Sequence, residues 1–237
     1  MRIESVIGPS APRGDMSRRR DVRDTYERIG RHFATTREYA WPEVEDFVAR
    51  VTADRSFDRG LDLGCGNCRH AEVLADHVEH VVGLDASRAL LDTGRDRAAE
   101  RDFEAPLALI QGDAANLPLR DDSVDLAVYV ATLHHLPTEA DRRHSLDELG
   151  RVLTPDGRAL VSAWSTAHDR FDDATEADQT GFDRTVEWTL PGGEPVDRFY
   201  HIYAPDEFER DLEASALELL EWEVSSGNCY ATVAGSQ

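Results

Sequence analysis

The stretch GLDLGCGNCRH, residues 60–70, runs from an apolar segment through two close glycines into a helix-forming segment. Glycines at 64 and 66 allow a tight turn and a close approach of backbone to a ligand at a helix mouth. About twenty residues further on, at the end of the run HVVGLD, stands Asp85. A carboxylate at that distance accepts both hydroxyls of a ribose. A second acid, Asp113, follows the run LALIQG in the segment QGDAANLP. A dinucleotide fingerprint has glycine where this chain has Arg69, and a pyrophosphate disfavours neighbouring acids, so the pattern counts against a dinucleotide. Cys65 and Cys68 form a C-x-x-C pair in the same turn. Such a pair suggests redox chemistry or half a metal site. Metal needs four ligands, with only scattered His70 and Cys229 to help, and redox chemistry leaves Asp85 and Asp113 unexplained. Cys68 therefore reads as a small residue that fits a helix start, and no metal is expected.

Elements that can hold this turn surround it. Val22, Tyr26, Ile29 and Phe33 recur at helical spacing, and Val44, Phe47, Val48 and Val51 follow Pro42 at a helix start. Strands and helices then alternate: GLDLG, HVVGLD, LALIQGD, VDLAVYV and RALVSAW are the strands. Between them lie helices with apolar faces such as Leu90/Leu91 and Leu146/Leu149/Val152/Leu153. This alternation predicts a parallel sheet with helices on both faces. LELLEWEV and CYATV, separated by SSGN, read as a closing hairpin. Residues 1–18 read as a disordered segment rich in Gly, Pro, Ser and Arg, and 165–197 as a mobile acidic insertion. The remainder, 19–237, reads as one domain.

The formal net charge is −21, and all 26 basic residues are arginine. Acidic surface without lysine has the character of a halophilic protein working in concentrated salt, where a Debye length of ~3 Å at 1 M screens self-repulsion. That screening weakens the usual argument from acidity against a nucleic-acid substrate. No stretch reaches the ~20 apolar residues of a membrane span, and the first residues lack a signal-peptide apolar core, so a cytoplasmic location is expected.

LDLGCGNC, VGLDAS, GDAANLPLRDDSVDLAVYVATLHHL and LGRVLTPDGRALV together resemble a class I S-adenosylmethionine-dependent methyltransferase, over roughly residues 58–164. The resemblance implies a Rossmann-like α/β fold: a mostly parallel seven-stranded sheet, helices on both faces and a terminal antiparallel hairpin. It implies S-adenosylmethionine as cofactor, with Asp62 and the loop Gly64–Cys65–Gly66 at its methionine part. Asp85 with Ala86 would hold the ribose, Asp113 with Ala114 the adenine, and Val130 would complete the set. Residues 19–57 would be helices covering the active site.

TYERIGRHFATTREYAWPEVEDFV, TLHHLPT, VSAWS and DRFYHIYAPDEF are similar to a narrower family, the tRNA wobble-uridine carboxymethyl methyltransferases, which esterify a carboxymethyl group on C5 of that uridine. This implies a tRNA substrate and a heterodimer with a small zinc-binding activator protein. The strand LALIQ, an outer edge without lysine or proline, would receive that partner. Arg37, beside an aromatic run, offers a guanidinium fork for a carboxylate. His134, His135, Arg198 and His201 are expected to converge as further donors. Strand four ends in YVATLHH, without the Asn/Asp-Pro-Pro-aromatic turn of N-methylation, and no cysteine sits where a nucleophile would attack uracil. A carboxylate acceptor, with a pKa near 4, needs neither device. A small acidic metabolite as acceptor, or a non-catalytic cofactor-binding scaffold, are the alternatives.

Overall fold

The computed structural model describes residues 13–171 and 180–235. Two helices lead, α1 (Arg13–Ala34) and α2 (Pro42–Thr52). Strands and helices then alternate as β1 (Phe57–Leu63), α3 (Arg69–Ala75), β2 (Val78–Asp85), α4 (Arg88–Glu100) and β3 (Leu107–Gln111). They continue as β4 (Val124–Val130), a short 3-10 turn Leu133–His135, α5 (Glu139–Val152) and β5 (Leu153–Trp164). The chain ends with β6 (Phe182–Thr189), β7 (Pro195–Ile202), α6 (Pro205–Glu213), β8 (Leu217–Ser225) and β9 (Asn228–Gly235).

Seven strands form one sheet in the order β3-β2-β1-β4-β5-β9-β8. Its first five strands pair in parallel, and β9 joins β5 and β8 antiparallel, so the closing hairpin is present as expected. Central β4 reads VDLAVYV and is buried almost throughout, as a strand covered on both faces must be. Leu61, Leu63, Tyr129 and Val161 face a core closed by α5 and α6. Leu126, Val128, Val44 and Phe47 belong to the core on the other side. The chain leaves β1 toward β3 and returns at β4 beside β1, and a crevice opens at that reversal beyond the carboxyl ends of the strands. Among the described residues no helix is long and apolar enough to cross a membrane.

Two boundaries differ from the sequence reading. The expected disordered segment 1–18 ends sooner, because α1 starts at Arg13; residues 1–12 lie outside the described residues. The expected mobile insertion 165–197 contains ordered chain: β6 pairs antiparallel with β7 as a separate two-stranded sheet. Phe182, Val186 and Trp188 alternate on one face of β6, and Phe182 and Val186 pack with Phe171, Tyr200 and Ile202 in a small core of their own. The part of the insertion at 172–179 lies outside the described residues.

Candidate active site

A cavity of about 670 Å³ occupies the crevice. Its floor is the turn after β1, its far wall the ends of β2, β3 and β4, and α1 lies over it. Gly64 (φ +75°) and Gly66 (φ +53°) both adopt left-handed conformations. A β-carbon at 64 would lie 2.6 Å from Thr132 Cβ, so only glycine fits; at 66 it would meet nothing within 4 Å, so the loop faces open cavity there. Cys68 is fully buried with φ +63°, a conformation that favours glycine and costs other residues about 1–2 kcal/mol. Its sulfur packs where a β-carbon on Gly94 would come within 2.5 Å, so the small side chain fills a tight corner. Neither cysteine belongs to a metal-capable cluster; the cluster found among the described residues, exposed Asp58, Glu79 and His80, sits at the opposite ends of the strands.

The expected cofactor residues Gly64, Cys65, Gly66, Asp85, Ala86, Asp113, Ala114 and Val130 all line the cavity. Asp85 accepts the Gly66 N–H at 2.9 Å and the Ser87 N–H at 2.8 Å, which fix its carboxylate at the end of β2. Burial, the largest influence, raises its pKa against these bonds. Asp113 accepts the Ala115 N–H on one oxygen and Arg19 Nη1 at 2.8 Å on the other. Arg19 also reaches Asp141 at 3.4 Å, so α1 is tied down over this end of the cavity. Asp62 departs from expectation. It is 2% exposed, does not line the cavity, and its carboxylate accepts the Ala71 N–H at 2.9 Å. It anchors α3 from beneath the loop, and burial pushes its pKa up to about 7.

At the other end of the cavity the five expected donors separate. Arg37 lines it, stacked 4.3 Å over Phe33 and donating to Thr36, without a carboxylate partner among the described residues. Asn67 holds this segment by donating to the Arg37 carbonyl at 2.8 Å. His135 lines the cavity, but both ring nitrogens are engaged: Nδ1 faces the Phe199 carbonyl and Nε2 the Tyr26 hydroxyl, each at 2.9 Å. A carbonyl only accepts, so Nδ1 carries the proton and the tyrosine hydroxyl donates to Nε2. Burial pushes the His135 pKa down to about 3, so the ring is neutral. His134 accepts the Trp164 N–H at Nδ1 (3.1 Å), leaving its proton on Nε2, and stacks on Tyr200. Its pKa also falls well below the usual value, through burial first.

Arg198 is buried behind this wall rather than in it, donating to the Tyr200 hydroxyl at 2.6 Å, with Nε lacking a partner. His201 lies outside the site. Alternation along β7 sends Arg198 and Tyr200 to one face and His201 to the other, where its nitrogens meet Asp183 (2.9 Å) and Glu207 (3.0 Å). It ties β6 to α6. In the sequence His70 is weighed only as a metal ligand and Arg69 only as a break in the dinucleotide pattern, and Asn67 and Arg19 are passed over; His70 lines the cavity 6% exposed with Nε2 unpartnered. Asparagine and arginine beside the glycines were the available signal.

Residues 61–161 match the model of a methyltransferase-domain family. The chain carries a methyltransferase domain. Its fold is class I, shared with a 1,6-didemethyltoxoflavin-N1-methyltransferase of Burkholderia thailandensis solved with S-adenosylhomocysteine (TM-score 0.69, 17% identity, 98% of this chain and 94% of that one). A methyltransferase solved in complex with the Haloferax volcanii Trm112 methyltransferase activator also shares it (TM-score 0.66, 17% identity, 91% and 98%). In sequence the chain is 30% identical over 171 residues to the tRNA (carboxymethyluridine(34)-5-O)-methyltransferase of Arabidopsis thaliana, covering 72% of this chain and 39% of that protein. It spans well under half the length of the first such relatives it matches. The cofactor of the methyltransferase domain is S-adenosylmethionine, and the cavity fits it: the open face at Gly66 and the carboxylates of Asp85 and Asp113 line one crevice, where Asp85 would hold the ribose and Asp113 the adenine. That cofactor supplies an electrophilic methyl group on a sulfonium sulfur.

Proposed function

We propose that this chain methylates tRNA, esterifying the carboxylate of a carboxymethyl group on C5 of the wobble uridine. The observation that carries the reading is a cationic wall whose three imidazoles, His70, His134 and His135, are all made poor bases by burial. Five arginines (19, 20, 23, 37 and 69) and two aspartates (85 and 113) line the cavity of a chain whose net charge is −21. All three imidazoles are neutral at neutral pH, and His135 has no free nitrogen. An amine or hydroxyl acceptor must lose a proton; a carboxylate is already ionised at neutral pH. In this reading Arg37 holds one acceptor oxygen while the other takes the methyl group, the sulfonium becomes a neutral thioether, and no proton moves. His134 Nε2–H and Tyr200 orient the acceptor, with Arg198 fixing Tyr200 from behind. Similarity to the carboxymethyluridine methyltransferases supports the tRNA substrate.

A small zinc-binding activator belongs to the same proposal. Strand β3 is an outer strand of the sheet, with Ala108 exposed, and an added strand would complete it. Coexpression with such an activator should slow amide hydrogen exchange in β3; unchanged exchange there would contradict that pairing. The function is tested by turnover with purified tRNA bearing 5-carboxymethyluridine. Methyl transfer to that base supports the reading. Transfer to small carboxylic acids alone, or cofactor binding without any transfer, overturns it.

A further inference from the structure

The most exposed large apolar side chain among the described residues is Tyr39, at 77%. It stands in the segment between α1 and α2, between two residues that line the cavity, Arg37 and Trp41. Surface tyrosines are common, but this one is held in place. Arg69 Nη1 donates to the Tyr39 carbonyl at 3.2 Å, its guanidinium lies 5.2 Å over the Trp41 ring, and Asn67 bonds the Arg37 carbonyl. The loop is therefore anchored to the cofactor turn, and its aromatic ring is presented rather than packed.

Charge marks the same place. Along α4 the arginines are neutralised: Arg88 and Arg95 by Asp92, Arg97 by Glu72. Arg69 has no carboxylate partner among the described residues. Burial lowers its pKa only to about 10, so it stays charged at neutral pH. An exposed ring flanked by an unneutralised guanidinium at the mouth of an active-site cavity has the chemistry of a single-strand nucleic-acid platform: a π face for a base and a cation for the phosphate beside it.

We infer that Tyr39 and Arg69 receive the nucleotide adjoining the one that enters the cavity, the base stacking on Tyr39 and its phosphate meeting Arg69. The inference rests on the RNA-methyltransferase reading and adds to it a second nucleotide-binding position. The target base goes into the cavity, while its neighbour stays on the rim, so Tyr39 governs RNA affinity and not methyl transfer.

Two measurements test it, with an anticodon stem-loop RNA carrying 5-carboxymethyluridine and with the free nucleoside. Tyr39→Ala should raise KM for the stem-loop about ten- to hundredfold, the loss of one base–aromatic stack, with kcat at saturation unchanged. Tyr39→Trp should keep the wild-type KM, which a loop held by the tyrosine hydroxyl would not. Nucleoside turnover should not respond to Tyr39→Ala. Arg69→Ala should lower the salt dependence of binding to unmodified stem-loop, measured by fluorescence anisotropy, by about 0.7 in log–log slope. Unchanged stem-loop KM and affinity in Tyr39→Ala would overturn the platform. A wild-type protein that binds the unmodified stem-loop through Tyr39 but methylates neither acceptor would overturn the function and leave the platform standing.

Discussion

Asp62 makes the fold itself sensitive to pH, in the direction opposite to most carboxylates. It sits beneath the cofactor turn with a single backbone donor, Ala71 N–H, and desolvation outweighs that bond and the nearby Arg69 charge. Its pKa rises from 3.8 to about 7. The native state therefore binds its proton more tightly than the unfolded chain does between those values. Stability from this group is present at low pH and is lost as pH rises through 7. A rise of roughly 3 pKa units is worth about 4 kcal/mol in all, of which about 3 kcal/mol disappears between pH 5 and 8. Asp62→Asn removes the titration while its amide oxygen still accepts from Ala71. Denaturant unfolding of both proteins at pH 5, 6, 7 and 8 isolates the effect, because the background of the other carboxylates cancels in the difference. The variant should gain about 3 kcal/mol on the wild type across that range. Its offset at any one pH depends on the unpaired amide N–H₂, so the slope is the readout. Parallel stability curves would refute the assignment of a proton to Asp62.

The two loop glycines should part company in thermal melts. Gly66→Ala faces open space and costs about 1–2 kcal/mol for its left-handed backbone, whereas Gly64→Ala adds an overlap with β-branched Thr132 and should cost several kcal/mol more. Tyr26→Phe leaves Nε2 of buried His135 without its donor and should lose about 1–3 kcal/mol in denaturant titration, with no change in the cofactor's dissociation constant. Arg37→Ala should cut turnover on carboxymethyluridine tRNA by about 10²-fold through misplacement of the acceptor, and Arg37→Lys should not restore it, because the planar fork is gone; equal loss of cofactor affinity by calorimetry would reassign this arginine.

Most of the sheet was legible because its strands are buried on both faces and carry the motif residues at their ends. GLDLG, HVVGLD and VDLAVYV had nowhere else to go, and Gly64, Asp85 and Asp113 follow their strands at the edge where the cavity opens. The acceptor end was less legible, since facing depends on parity set by distant contacts. FYHI in β7 does not say which of His201 and Tyr200 turns inward; the pairing with β6 and the Glu207 contact decide it. The methyltransferase resemblance implied Asp62 at the cofactor's methionine part, yet its hydrogen bond from the Ala71 N–H of α3 turns it inward. Strand β6 was hidden by acidic residues at 183 and 187, while its apolar face finds partners distant in sequence, Tyr200 and Ile202 for the small core and His32 and Phe33 for Trp188.

The central claim is transfer to an already ionised carboxylate, and the pH dependence of kcat tests it most directly. With cofactor and 5-carboxymethyluridine tRNA saturating, kcat should stay flat from about pH 6 to 9, because the acceptor is ionised throughout and the three cavity imidazoles, His70, His134 and His135, are neutral. A tenfold rise per pH unit within that window would mean that a proton leaves the acceptor, and would contradict the account in favour of an amine or hydroxyl.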